Sequence, residues 1–217
     1  MTPPSRRPDY AATCDHLRQA SRACRTGGPD AFEAFRDLVN YEFCLTIGHA
    51  KAGIHLEVRD RHALIRVLAG GHDPHGYPVV QLRNGHYLKL VVSLYLDATA
   101  DDKYLRTRMS LFQYQLDEAG DDWVFRYEYK REPEPGEPKP VGHFHVRGDL
   151  RSGGALAKRH TLERVHFPCG RPTIESTIRL LADDFRAPTN ARGELWRPAL
   201  AEAERDFLAV AHKAVHR

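Results

Sequence analysis

His143 and His145 stand two residues apart in the segment VGHFHVRGDL, and that spacing is the first sign of chemistry in the chain. Side chains at i and i+2 of an extended strand project from the same face. His143, His145 and Arg147 are therefore expected on one surface, with Phe144 and Val146 on the other. Two imidazoles so placed can reach one metal ion, and a third ligand can come from an adjacent strand. His166, in the following segment LERVHFPCGR, is the candidate third ligand, with His160 and Asp149 as others. A divalent metal held by three such groups, with one position open, activates water. The same imidazoles without a metal can act as acid and base on a phosphodiester, because they titrate near neutrality. Arg147, Arg164 or Arg171 would then stabilise the developing negative charge.

The preceding strand-like segment, WVFRYEYKR, adds Arg126 and Glu128. They share a face and can join the histidines across a sheet, with Glu128 as carboxylate ligand or base. The plainer reading is a cross-strand ion pair of a few tenths of a kcal/mol. Trp123, Phe125, Tyr127 and Tyr129 are expected together on the opposite face, as core. The segment 167–171 (FPCGR) leads into a helix starting near Thr173, whose amides, with Arg171, could receive a phosphate. Cys169, beside that helix start, could have a lowered pKa. His72 and His75 fall in a turn-rich stretch, 70–76, and are expected to do no chemistry. No G-x-S-x-G, H-E-x-x-H, Walker or Rossmann pattern occurs.

Those segments need a scaffold, and the chain of 217 residues suits a single domain with a substantial core. Its hydrophobic content (41%) and charged content (28%) are those of a folded protein and exclude a disordered one. Apolar runs such as Leu90-Val91-Val92 are too short to span a bilayer, so no membrane partner is expected. The opening MTPPSRRPDY has no apolar segment behind it and gives no secretory signal, so the expected location is cytoplasmic. Cys14, Cys24, Cys44 and Cys169 form no C-x-x-C pair and read as free thiols. The net charge of +3 does not by itself indicate nucleic acid. Its distribution is more telling: residues 143–171 carry six basic against two acidic side chains, among four histidines. That concentration favours an anionic partner, phosphate being the obvious one.

Periodicity then places the elements. Tyr10, Cys14, Leu17 and Cys24 recur at helical spacing up to a stop near Arg25, and Phe32, Phe35, Val39 and Phe43 form a second stripe. Asp30 with Glu33 resembles a capping box. A helical hairpin is expected over 10–46. From 52 to 170 the period is mostly two, with short turns, which implies an antiparallel meander. Arg106 and Arg108 are expected on one side of it. Pro133, Pro135, Pro138 and Pro140 make 131–140 an exposed loop. Helices follow over 172–216, broken near 187–190. The expected fold class is α+β: one domain, 1–217, with an antiparallel meander flanked by N-terminal and C-terminal helices.

The turn YQLDEAG (114–120), the strand VFRYEY (124–129) and HFHV (143–146) together resemble the TumE-type toxin family of bacterial toxin–antitoxin systems. The likeness spans about residues 88–150. It departs from the family pattern where Lys130-Arg131 and the proline loop replace a histidine-rich continuation. The later block VHFPCGRPTIESTIRLL (165–181) resembles sequences of actinobacterial proteins. The toxin resemblance implies a small intracellular toxin paired with an antitoxin protein.

Two functional expectations follow. In the first, a toxin-like protein acts on RNA or another phosphodiester, with His143 and His145 as acid/base or ligand pair, Glu128 as base, and Arg126 and Arg147 stabilising charge; Arg164, His166 and Arg171 contribute binding. In the second, the same sheet surface binds an anion or a protein without catalysis.

Overall fold

A computed structural model of the chain describes residues 9–25, 30–49, 54–59, 62–67, 79–96, 105–131, 141–148 and 165–212. Two helices open it, α1 (Tyr10–Arg25) and α2 (Ala31–Leu45). Eight strands follow: β1 (Ile54–Arg59), β2 (His62–Val67), β3 (Val79–Gln81), β4 (Tyr87–Leu96), β5 (Leu105–Gln115), β6 (Trp123–Lys130), β7 (Gly142–Val146) and β8 (Phe167–Pro168). Helices α3 (Ile174–Asp183) and α4 (Gly193–His212) close it. This is the expected α+β order.

The strands form one antiparallel sheet in the order β1-β2-β4-β5-β6-β7-β8, with β3 also paired to β4. From β4 onward each strand lies beside its chain neighbour, the arrangement that short connections favour. One face carries Leu88, Leu90, Val92 and Leu94 of β4, Phe112 and Tyr114 of β5, and Phe125 of β6. They pack against α2 (Phe32, Phe35, Val39, Phe43), α3 (Ile178, Leu181) and α4 (Trp196, Leu200). Burying each such side chain is worth about 1.5–3 kcal/mol, so the helices are held mainly by this face.

Polar ties fix the layers. Asn190 donates to the carbonyls of Phe43 and Gly48, and the backbone N–H groups of Asn190 and Ala191 donate to Thr46 and Leu45. The link before α4 is thereby fastened to the end of α2. Arg18 and Arg25 of α1 pair with Glu202 and Asp206 of α4. Thr173 caps α3 as its sequence suggests: its hydroxyl accepts from the N–H of Ser176, whose own hydroxyl accepts from the Thr173 N–H.

Three local expectations are corrected. Asp30 precedes α2, but its backbone is already helical (φ −77°, ψ −6°) and its side chain makes no capping bond. A cap needs an extended residue to bring its oxygen over the first amides, which this conformation does not supply. In the pairing of β5 with β4, Met109 faces Ser93 and Thr107 faces Leu94, so Arg108 is an inserted bulge residue. The bulge breaks the strict alternation that would have placed Arg106 and Arg108 together. A second irregularity pairs Tyr114 with Phe125 but Gln115 with Trp123, leaving Val124 as the extra residue. Val124 packs against the core, and Trp123 turns to the other face.

Candidate functional site

The sheet face away from the helices holds the histidines. Strand β7 pairs with β6 so that Arg126 faces His145 and Glu128 faces His143. Strand β8 pairs on the other side, with Phe144 opposite Phe167 and His143 opposite Pro168. Continued by one position, that register sets His166 beside His145. Phe144 packs on Tyr127 and Phe125 toward the core, so His143 and His145 must point the other way.

The three imidazoles converge. Ring centroids lie 5.0 Å apart for His143 and His145, 5.0 Å for His143 and His166, and 4.5 Å for His145 and His166. One ligand nitrogen from each lies within 4.8 Å of the other two. His143 and His145 are only 4% and 3% exposed. Glu128 sits against them, with Oε2 3.3 Å from Nε2 of His143 and Oε1 3.9 Å from Nε2 of His145. The guanidinium of Arg126 holds the same carboxylate, Nε to Oε1 at 2.7 Å. Arg126 in turn lies over Trp123, 5.3 Å from the ring centroid. The bulge at Val124 is what brings that indole to the histidine side.

Zinc–imidazole bonds of about 2.0–2.1 Å set neighbouring ligand nitrogens about 3.4 Å apart in a tetrahedral site. Small rotations of the three rings would therefore bring their nitrogens onto one cation. Glu128 can serve beside them as a further ligand, or as base to a bound water.

Gly142 positions the trio. A Cβ there would lie 2.9 Å from the carbonyl oxygen of Cys169 and 3.1 Å from that of Gly170. Its carbonyl accepts from the N–H of Cys169 at 3.1 Å, which docks the return strand on β7. Glycine is needed for this close approach.

The remaining predicted residues separate. Arg147 reaches the β5–β6 turn, where it donates to the carbonyl of Asp121 and, at 3.2 Å, to the carboxylate of Asp122. Arg171 lies across the sheet from the histidines. The segment after β8 passes to the helix side, and the guanidinium stacks between Tyr129 (4.8 Å) and Phe207 (4.6 Å). Burial lowers its pKa to about 10, which leaves it charged at neutral pH. Cys169 also departs from expectation: burial pushes its thiol up, with no lowering from the helix start. Arg164, His160, Asp149, His72 and His75 lie outside the described residues.

Sequence reasoning passed over Gln113 and Gln115, both buried on the histidine face. Gln113 donates to Gln115, which donates to the carbonyls of Asp117 and Glu118 and so braces the turn before Trp123. Their i, i+2 spacing in a strand was the available signal. It also passed over Glu42 and Glu175, buried on the helix side. Desolvation raises both carboxyls, Glu42 well above its ordinary range and Glu175 to about 7. Glu42 stands seven residues after Phe35, in line with the apolar stripe of α2, where a charged residue is a legible anomaly.

Among the described residues, no helix is long and apolar enough to cross a membrane. No family model, curated protein or solved structure matches the chain.

Proposed function

We propose that this chain is a metal-assisted phosphodiesterase acting on RNA, with His143, His145 and His166 as ligands and Glu128 as general base. The convergence of three imidazoles beside one carboxylate carries the reading. A divalent cation bound by the three imidazoles would lower the pKa of a coordinated water. Glu128 takes the water proton as oxygen attacks phosphorus, and the phosphorus–oxygen bond to the leaving group breaks. The proton then passes to the departing oxygen, so charge and atoms balance. Arg126 holds Glu128 in place and sets positive charge beside the phosphate.

The charge of the sheet supports an anionic substrate. Register places Lys89, Arg106, Arg126 and Lys130 on the histidine face, while Glu128 is the only carboxylate in β4–β7. Such a surface attracts a phosphate backbone. The likeness of the central block to TumE-type toxins adds an expected biological setting: a toxin-like protein inside the cell, neutralised by an antitoxin protein.

The test is cleavage of a structured RNA by purified protein, with and without Mn²⁺ or Zn²⁺ after chelation. Metal-dependent cleavage that is lost in a folded His145→Ala variant is the expected outcome. Cleavage that survives chelation would replace the metal by direct imidazole catalysis. RNA binding without cleavage under every metal condition would leave a binding surface instead.

A further inference from the structure

On the other side of the sheet, between α1, α2, β4, β5 and the α3–α4 pair, lies a partly open cavity with about 60 Å³ of space for water-sized groups. Its walls are largely hydrocarbon, with Phe35, Val39, Val92, Phe112 and Ile174 among them. The side of the cavity formed by Arg25 and Asp206 is the more exposed, while Glu42 lies deep at 1% exposure.

Two polar groups in this wall lack compensation. Both carboxylate oxygens of Glu42 are buried and receive no hydrogen bond from a donor group among the described residues. The hydroxyl of Ser110, on β5, is likewise buried without a hydrogen-bond partner. The neighbouring group is Glu175, itself buried, and two carboxyls can satisfy each other only by holding a proton between them.

The other charges around the cavity are already engaged. Glu204 accepts from Thr173 and Arg179, Asp206 accepts from Ser21 and Arg25, and Arg171 is stacked between two rings. Glu175 itself accepts from its own backbone and from Thr173, so Glu42, with Ser110 beside it, is left as the cavity's uncompensated feature. A buried acceptor without a donor destabilises the fold, and more so when charged.

We propose that this cavity is a binding site for a small organic ammonium ion with an apolar body. The ammonium donates to the carboxylates of Glu42 and Glu175 and to the Ser110 hydroxyl, displacing the proton the pair holds. The hydrocarbon part packs on Phe35, Val92 and Phe112. A hard metal cation fits poorly, because it needs six or more oxygens and the walls here are mainly hydrocarbon. An anion would meet the carboxyl pair, and an alcohol brings one donor where an ammonium brings three. The site lies across the sheet from the histidines, so this proposal stands apart from phosphodiester chemistry.

Calorimetric titration at pH 6.5 with hexylammonium, 1-hexanol and hexanoate tests the proposal on the full chain. Saturable binding of hexylammonium is expected, at least about tenfold tighter than hexanol, a difference of about 1.4 kcal/mol. Repeating it in buffers of different ionisation enthalpy should show release of protons on binding. The isosteric variants Glu42→Gln and Glu175→Gln should each weaken the amine by about tenfold or more and leave hexanol unchanged. Equal affinity for amine and alcohol, no proton release, or no saturable binding by the wild-type chain would overturn the proposal. None of these three readouts needs a variant, so a Gln variant that fails to fold does not protect it.

Discussion

The imidazole of His166 meets that of His145 edge-on, with ring centroids 4.5 Å apart and planes at 68°. The two belong to segments on either side of 149–164, and antiparallel pairing of β8 with β7 brings them together. The metal reading depends on that meeting, because two histidines of one strand supply only two ligands.

Gly142 is the first place to test it. A side chain there collides with the backbone at Cys169 and Gly170 and pushes the return strand away from β7. Gly142→Ala is expected to cost about 1–3 kcal/mol in chemical denaturation. It should weaken metal binding more than stability alone explains, since it displaces His166. Unchanged stability and unchanged metal affinity would show that the close approach does not hold the trio.

Trp123 offers a test on the same face. Its ring supports the guanidinium that holds Glu128. A cation–π contact at a partly exposed site is worth about 0.5–1 kcal/mol. Trp123→Ala is expected to reduce RNA cleavage several-fold with stability changed by about 1 kcal/mol. Trp123→Phe should restore most of the activity. Equal activity in wild type and Trp123→Ala would remove the positioning role.

The helix side gives a pH prediction. Burial, with the Glu204 carboxylate, raises Glu175 from 4.5 to about 7, and burial takes Glu42 well above its ordinary value. The folded chain therefore binds more protons than the unfolded chain above pH 4.5. Stability from these groups is fully present below that pH, declines as pH rises toward about 7, and continues to decline with Glu42. Melting temperature should fall between pH 5 and pH 8, and Glu175→Gln should flatten the decline. A profile identical in wild type and variant would mean that the pair does not share a proton.

The legibility of this fold in its sequence follows from how local each cause was. Alternation in 88–95 and 125–130, the Thr173 cap and the break at 187–190 are set within a few residues, and the structure agrees with each. His143 and His145 share a face because strand geometry requires it. The placement of His166 was readable only as a candidate, because it depends on a register across a long connection. Trp123 was misplaced because WVFRYEY alternates without a visible gap. The inserted Val124 becomes evident only against the partner strand. Arg171 leaves the histidine face for a similar reason: two residues of β8 end the pairing, and the chain then passes to the helices. The carboxyl pair joins α2 to α3, which no spacing along one helix could announce.

The most direct test of the account is metal binding by the purified chain. Chelator-stripped protein titrated with Co²⁺ should bind one ion per chain, with the visible absorption of a low-coordinate nitrogen-rich site. That band should disappear in a His143→Ala/His145→Ala variant that keeps its circular dichroism. A wild-type chain that takes up no stoichiometric Co²⁺ or Zn²⁺, or a folded double variant that binds as tightly, would contradict the three-histidine site.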